Sequence, residues 1–324
     1  MRLIRTLLFT LGACLGAGAS AQAQAQYPEN PIKAVVPFPA GQATDILARL
    51  FTAPLSDVLK QPVYVENKGG AGGIIGIEAA RRSPNDGYTI LLASSGPLSI
   101  NQNLYKDIPY DTLRDFDPVA MMLVNPQFLV VREDFPASSL EELIEVVKKN
   151  PGKYNYGSGG VGLTNHLTME MLKQRTGMDI RHVPYRGATA ALSGLIAGDT
   201  AMMFESGPPI IPHVQAGKLK IIAVGRKERS DRFPDVPSVH EAGVEGFDAA
   251  TWIAVMVPKG TPQPVIERLN AATNEVLQQP GIRKQFADVT ASAMIATPEQ
   301  TRAFIDSEIR LWRDTIRKGN IQAE

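Results

Sequence analysis

The stretch Val35-Val-Pro-Phe-Pro-Ala-Gly-Gln-Ala-Thr-Asp-Ile-Leu-Ala-Arg-Leu50 decides how the chain is read. A short apolar run ends in a Pro/Gly turn, and a helix is expected to start behind Thr44 or Asp45. Such a junction leaves backbone N–H groups without intrahelical partners, and the helix dipole adds positive potential there. An anion is therefore expected at this turn. The same local structure serves a phosphate cofactor in an enzyme or a carboxylate in a protein that only binds.

Working outward, Ile32–Val36 reads as a buried strand, and Ile46, Leu47, Leu50, Phe51, Leu55, Val58 and Leu59 recur at helical spacing. Pro54 is expected to kink or split that helix. Pro62–Glu66 is a second strand, followed by the glycine-rich Asn67-Lys-Gly-Gly-Ala-Gly-Gly73, a helix over 74–82 and a strand over Tyr88–Ala93. This alternation implies a parallel sheet with crossover helices. The same order returns later. Tyr154–Tyr156 leads through Gly157-Ser-Gly-Gly-Val-Gly162 to a helix over Thr164–Arg175, and Ile180–Val183 leads into Pro184-Tyr-Arg-Gly187. Two βαβ units of this kind predict two α/β domains, each aiming a helix N-terminus at a ligand. Crossings between them are expected near Leu123–Asn125 and Phe247–Thr251. That gives a discontinuous first domain, 26–123 plus 247–324, and an inserted second domain, 124–246.

Length and composition fit this division. The chain has 324 residues, 44% of them hydrophobic and 20% charged, which suits an ordinary globular core. Its 33 basic and 33 acidic residues leave no electrostatic footprint for nucleic acid. Arg2 and Arg5, the apolar Leu7 to Leu15 and the small residues of Ala21-Gln-Ala23-Gln-Ala25 form a secretory signal peptide, residues 1–25. The apolar run is shorter than the ~20 residues a membrane helix needs. Cys14 is the only cysteine and lies inside this signal. Lipid anchoring at Cys14 is the lesser alternative. Otherwise the exported chain contains no thiol, which excludes disulfides and cysteine catalysis.

Catalytic readings find weak support. His166, His182, His213 and His240 show no metal-ligand spacing with one another or with a carboxylate. The Gly-rich stretch at 69–73 has no following Gly-Lys-Ser/Thr, so neither a P-loop nor a cofactor is expected. Tyr156-Gly-Ser-Gly-Gly160 departs from a nucleophile elbow, and a hydrolase built on Ser158 and His166 stays the alternative from another class. Asp45, a carboxylate beside an anion site, reads as a cap or loop-fixing residue rather than a ligand contact. Arg186 reads equally well as a clamp over the ligand, with Tyr185, or as a surface cation.

Taken together, Pro37-Phe-Pro-Ala-Gly-Gln-Ala-Thr-Asp45, Val65-Glu-Asn-Lys-Gly-Gly-Ala-Gly-Gly-Ile-Ile-Gly76, Asp86-Gly-Tyr-Thr-Ile-Leu91 and Ser158-Gly-Gly-Val-Gly-Leu-Thr-Asn-His-Leu167 resemble the Bug (TctC-like) periplasmic solute-binding proteins of tripartite tricarboxylate transporters. Val183-Pro-Tyr-Arg-Gly187, Gly198-Asp-Thr-Ala-Met-Met-Phe204 and Pro234-Asp-Val-Pro-Ser238 extend the likeness to almost the whole mature chain. The resemblance implies a two-domain periplasmic-binding-protein-like (type II) α/β fold, hinged, with a ligand cleft at the interface. It implies a non-enzymatic, periplasmic protein that captures a small carboxylated solute and delivers it to a membrane permease, or alternatively informs a signalling receptor. The protein is expected to act as a monomer.

In that family backbone amides and bridging waters at the first turn, here Phe38 to Gln42, hold one carboxylate. The resemblance accordingly places Phe38, Ala40, Gly41, Gln42, Ser94, Ser95, Ser158, Gly159, Gly160, Thr164, His166, Tyr185, Gly187 and Glu205 at the cleft. Three departures from the family pattern bear on ligand identity. Gln42 replaces a glycine, Ser193 stands where an acid is common, and Glu205 stands where Asp is usual.

Overall fold

The structure, a computed structural model, describes residues 27–322. The expected signal peptide, residues 1–25, and Cys14 lie outside them. The chain runs β1 (Ile32–Val36), α1 (Ala43–Leu59), β2 (Val63–Asn67), α2 (Ile74–Arg81) and β3 (Thr89–Ser94). One turn of π-helix at Gly96–Ile100 leads into the short helices α3 (Asn101–Leu104) and α4 (Thr112–Asp115), and then the long strand β4 (Phe116–Arg132). Next come α5 (Leu140–Lys148), β5 (Asn155–Ser158), α6 (Thr164–Thr176), β6 (Arg181–Pro184), α7 (Ala188–Ala197) and β7 (Met202–Ser206). The chain ends with α8 (Gly207–Gln215), β8 (Leu219–Val224), β9 (Ala250–Pro258), α9 (Gln263–Gln278), α10 (Pro280–Asp288), β10 (Ser292–Ala293) and α11 (Pro298–Gly319).

The two expected α/β units are present and share β4. Strands β2, β1 and β3 are parallel, and β9 lies antiparallel between β3 and the first half of β4. The second half of β4 pairs antiparallel with β7 on one side and β8 on the other, and β5 and β6 continue the second sheet in parallel. The change of partner falls between Pro126, opposite Ala250, and Gln127, opposite Ser206. There the Gly225 N–H donates to the Gln127 carbonyl and the Ala249 N–H to the Gly225 carbonyl, both at 2.7 Å. The two crossing segments are thus stitched together by backbone.

Each sheet owns a core. Ile32, Phe51, Leu55, Ile90 and Leu269 pack in the first unit, while Leu129, Tyr156, Leu172, Phe204 and Phe247 pack in the second. Helix α11 serves both: Ile305 joins a first-unit cluster, and Trp312 and Ile316 join the second. Its start follows from Thr297-Pro-Glu-Gln300, where the Thr297 hydroxyl and the Gln300 side chain form a reciprocal capping box.

One local expectation is corrected: helix α1 begins at Ala43, ahead of Thr44. Of the two outcomes expected at Pro54 the split does not occur, and the helix runs on to Leu59. The missing Pro54 N–H removes one rung of the ladder, a cost of about 3 kcal/mol in an isolated helix. Burial of Leu47, Phe51, Leu55 and Leu59 on one face offsets it. The glycine-rich loop also has a packing explanation. A Cβ at Gly69 would lie 2.6 Å from Pro39 Cδ, and one at Gly76 would lie 2.6 Å from Pro37 Cα. These glycines let the loop press directly on the Pro37–Pro39 turn.

Candidate functional site

The turn after β1 owes its shape to Gly41 and Asp45. Gly41 has φ +83°, a conformation that L side chains rarely adopt. Its N–H donates to Asp45 Oδ2 at 2.8 Å, while Asp45 Oδ1 accepts from Arg49 Nε and Asn67 Nδ2, each at 2.9 Å. Burial pushes the Asp45 carboxyl upward, but the hydrogen bonds from Arg49, Gly41 and Asn67 prevail and hold it below the usual range. Asp45 is therefore a brace. The Gly41 N–H, expected to face an anion, is occupied by this internal carboxylate.

The unclaimed donors lie one step further on. Gln42 is the N-cap of α1, extended at φ −76° and ψ 160°, and its side chain caps nothing. The N–H groups of Ala43 and Thr44, in the first helical turn, have no intrahelical partner. Leu163 before α6 and Gly187 before α7 likewise supply no side-chain cap. All three helix starts, at Gln42–Thr44, Leu163–Asn165 and Ala188–Thr189, open into one cavity of about 340 Å³ between the two units. That volume lies in the range of small-molecule sites.

The lining contains no Lys and no Arg. An anion there would be met by backbone dipoles and by neutral hydroxyl and amide donors, not by a lysine or an arginine.

Of the residues expected at the cleft, Phe38, Gly41, Gln42, Ser94, Thr164 and Glu205 line this cavity. The other eight are outside its lining, and several adjoin it. Ala40 is exposed beside it. Ser95, fully buried, bonds its hydroxyl to that of Thr164 at 2.9 Å and so joins the two units. Ser158 is also fully buried, and its Oγ lies 2.6 Å from His182 Nε2, so the Ser–His pair forms with His182 and not with His166. The Ser158 Oγ also donates to the Gly160 carbonyl at 3.1 Å, so the hydroxyl is engaged within the protein.

His166 accepts the Gly162 N–H through Nδ1 and stacks on His182 with ring centroids 4.0 Å apart. Burial, with help from His182 and Lys173, brings His166 down to about 3. Burial brings His182 down to about 4, with Glu170 opposing and Lys173 assisting. Both rings are neutral at neutral pH, and their stack joins α6, which carries His166, to β6, which carries His182.

Gly159 and Gly160 form the turn between β5 and α6. The Gly159 carbonyl accepts the Gly187 N–H at 2.9 Å, which seats the start of α7. A Cβ on Gly187 would meet Gln42 Nε2 at 3.7 Å, so the Gln42 side chain reaches across the cleft to the second unit. Tyr185 packs over Gly157 and Gly194 rather than into the cavity, and Arg186 is exposed.

The cavity also takes in residues that sequence reading missed. Asn125, Gln127 and Thr251 sit where the strands cross between units, and Asn165 starts α6. Asn125 Nδ2 and Gln127 Oε1 are buried without a hydrogen-bond partner. The signal for them was two polar amides flanking Pro126 within an otherwise apolar strand. Glu205 is the cavity's only carboxylate. Its Oε1 accepts from the Ser206 N–H at 2.8 Å and hydroxyl at 2.9 Å, and its Oε2 faces Asn165 Nδ2 at 3.4 Å. Burial raises its pKa despite these bonds from Ser206 and Asn165. Among the described residues no cluster suited to a metal ion occurs.

The chain is similar to known proteins over most of its length. Residues 47–321 match the tripartite tricarboxylate transporter family receptor. Protein BugT of Bordetella pertussis is 40% identical over 315 residues, covering 96% of this chain and 97% of that one. A solved structure of a periplasmic transporter is 38% identical with a TM-score of 0.85, over 91% of this chain and 99% of that chain. An R. palustris protein solved with adipate is 30% identical with a TM-score of 0.86, again over 91% and 99%.

Proposed function

The chain belongs to the tripartite tricarboxylate transporter receptor family, and on that premise we propose that it captures a small carboxylated solute in the periplasm and delivers it to a membrane permease. The carrying observation is the convergence of three uncapped helix starts on a single cavity lined by no Lys and no Arg. The solute's carboxylate is held at the start of α1 by the N–H groups of Ala43 and Thr44, in a turn braced by Asp45. Thr164, Ser94 and Gln42 complete that end of the site.

In the same proposal, 26–123 plus 247–324 and 124–246 move as two bodies, with ligand favouring closure by touching both. Backbone bonds at Gln127, Gly225 and Ala249 support a hinge there, and bending must also pivot along α11, which packs on both cores.

The test is a thermal-shift and calorimetric screen of the wild-type protein against mono- and dicarboxylates. A ligand at 100 times its Kd adds about 2.7 kcal/mol of stability. A panel in which no carboxylate binds would sink the reading. Delivery is tested separately, by loss of uptake of the identified solute on deleting the gene and its return on complementation.

A further inference from the structure

We infer that a second cavity, behind the strand that crosses between the units, is the counterpart of the solute cavity. It narrows as the solute cavity opens, so filling it favours the closed form and tightens solute binding. This rests on the two-body closure proposed above and adds what sets its balance. Strand β4 separates the two spaces, because successive residues of a strand face opposite sides. Asn125 and Gln127 line the solute cavity, whereas Val124 and Pro126 line a separate cavity of about 300 Å³. The register of β4 on β9 is unbroken from Leu123 to Pro126, so the alternation holds through the crossing.

Each unit supplies one wall of this back cavity. Residues 226 and 228–232, which follow β8, form one wall, and residues 287 and 290–294, around β10, form the other. The pairing of Ser292 with Val124 fixes the second wall to β4. Charge does not tie the walls together. Arg226 pairs with Asp248 at 2.6 Å and Arg229 with Glu241 at 3.0 Å, and among the described residues no ion pair runs from 226–232 to 287–294.

Between the two cavities the units touch at Thr290. It is 4% exposed, lines the back cavity and donates from Oγ1 to Asn125 Oδ1 at 3.0 Å. A Cβ on Gly207, which opens α8 of the second unit, would lie 1.9 Å from that oxygen. Thr290 also holds φ +67°, which a β-branched residue adopts only where its surroundings impose it. Closely packed atoms of this kind do not compress, so rotation about them widens one cavity at the expense of the other.

Tryptophan at exposed positions of the back cavity tests this, as Ser292→Trp in one variant and Ala287→Trp in another. Neither position lines the solute cavity. Calorimetry reads the binding of succinate, malate, adipate, glutamate and benzoate, and small-angle X-ray scattering reads the radius of gyration of the solute-free protein. The variants are expected to bind whichever of these acids the wild type binds at least threefold tighter, and to be more compact than the wild type before solute is added. Wild-type affinity, weaker binding or a wild-type radius of gyration in the folded variants overturns the inference while leaving carboxylate binding intact. If the wild type binds none of these acids, the capture reading fails and scattering alone decides the inference. Should one variant fail to fold, the other decides.

Discussion

The carboxylate of Asp45 accepts the backbone N–H of Gly41 at 2.8 Å, so the first turn is closed by an acid within the helix it introduces. The same side chain holds Arg49 and Asn67, which makes it the node of the turn. Asp45→Ala should cost about 2–3 kcal/mol, the penalty for stranding a buried donor together with a lost charge-assisted bond. Denaturant melts would measure it. A loss below 0.5 kcal/mol would show that the brace is dispensable.

Ala43→Pro probes the free donors with little harm to the fold. Position N1 tolerates proline, and Gln42 already has the extended backbone that a residue before proline requires. Deleting the Ala43 N–H should weaken carboxylate binding about tenfold, equivalent to about 1.4 kcal/mol, at an unchanged melting temperature. Full affinity in this variant would move the carboxylate away from α1.

The stacked histidines predict a sensitivity to acid. Their pKa falls from 6.5 when unfolded to about 3 for His166 and about 4 for His182. Between these values the unfolded chain binds protons that the folded chain refuses, so stability falls as pH drops below 6.5 and levels off near 4 and below. Lys173 disfavours protonation of both rings, and Glu170 favours it only for His182. Across pH 6.5 to 4.5 the pair should cost on the order of 3–5 kcal/mol. In His166→Gln/His182→Gln the slope over this range should flatten. An unaltered slope would assign the acid sensitivity in this range to other groups; Asp45, whose carboxyl is held below its usual range, acts in the same direction only at lower pH.

Glu308 accepts both buried indoles through one oxygen, from Trp252 at 2.8 Å and from Trp312 at 3.1 Å. It thereby ties β9 to α11. Glu308→Ala leaves two indole N–H groups unpaired and should destabilise the protein by about 3–5 kcal/mol, and Glu308→Gln by about half that. Chemical denaturation of the two variants checks the order, and equal losses would refute it.

The alternation of strands and helices was legible because it depends on periods of two and 3.6 residues, which are local properties. Gly-Gln-Ala-Thr announced a helix start, and Thr297-Pro-Glu-Gln300 a capped one, for the same reason. The role of Asp45 as loop-fixer was legible too, since a carboxylate cannot face the anion it would repel. The π-helical turn at Gly96, the Pro-rich α8 and the length of β4 were not. Each is stabilised by what lies across it rather than by its own residues.

The sequence by itself determined two α/β units, a positive helix end after β1 and an interior without thiols. Tertiary structure decided which donors remain free: Gly41 is taken by Asp45, and Ser158 by His182, leaving Ala43 and Thr44 open. It also brought Asn125, Gln127 and Glu205 to one cavity from two strands 70 or more residues apart in the chain. Hydrogen bonds are made between whichever groups the packed backbone sets within 3 Å, and no local pattern records that pairing.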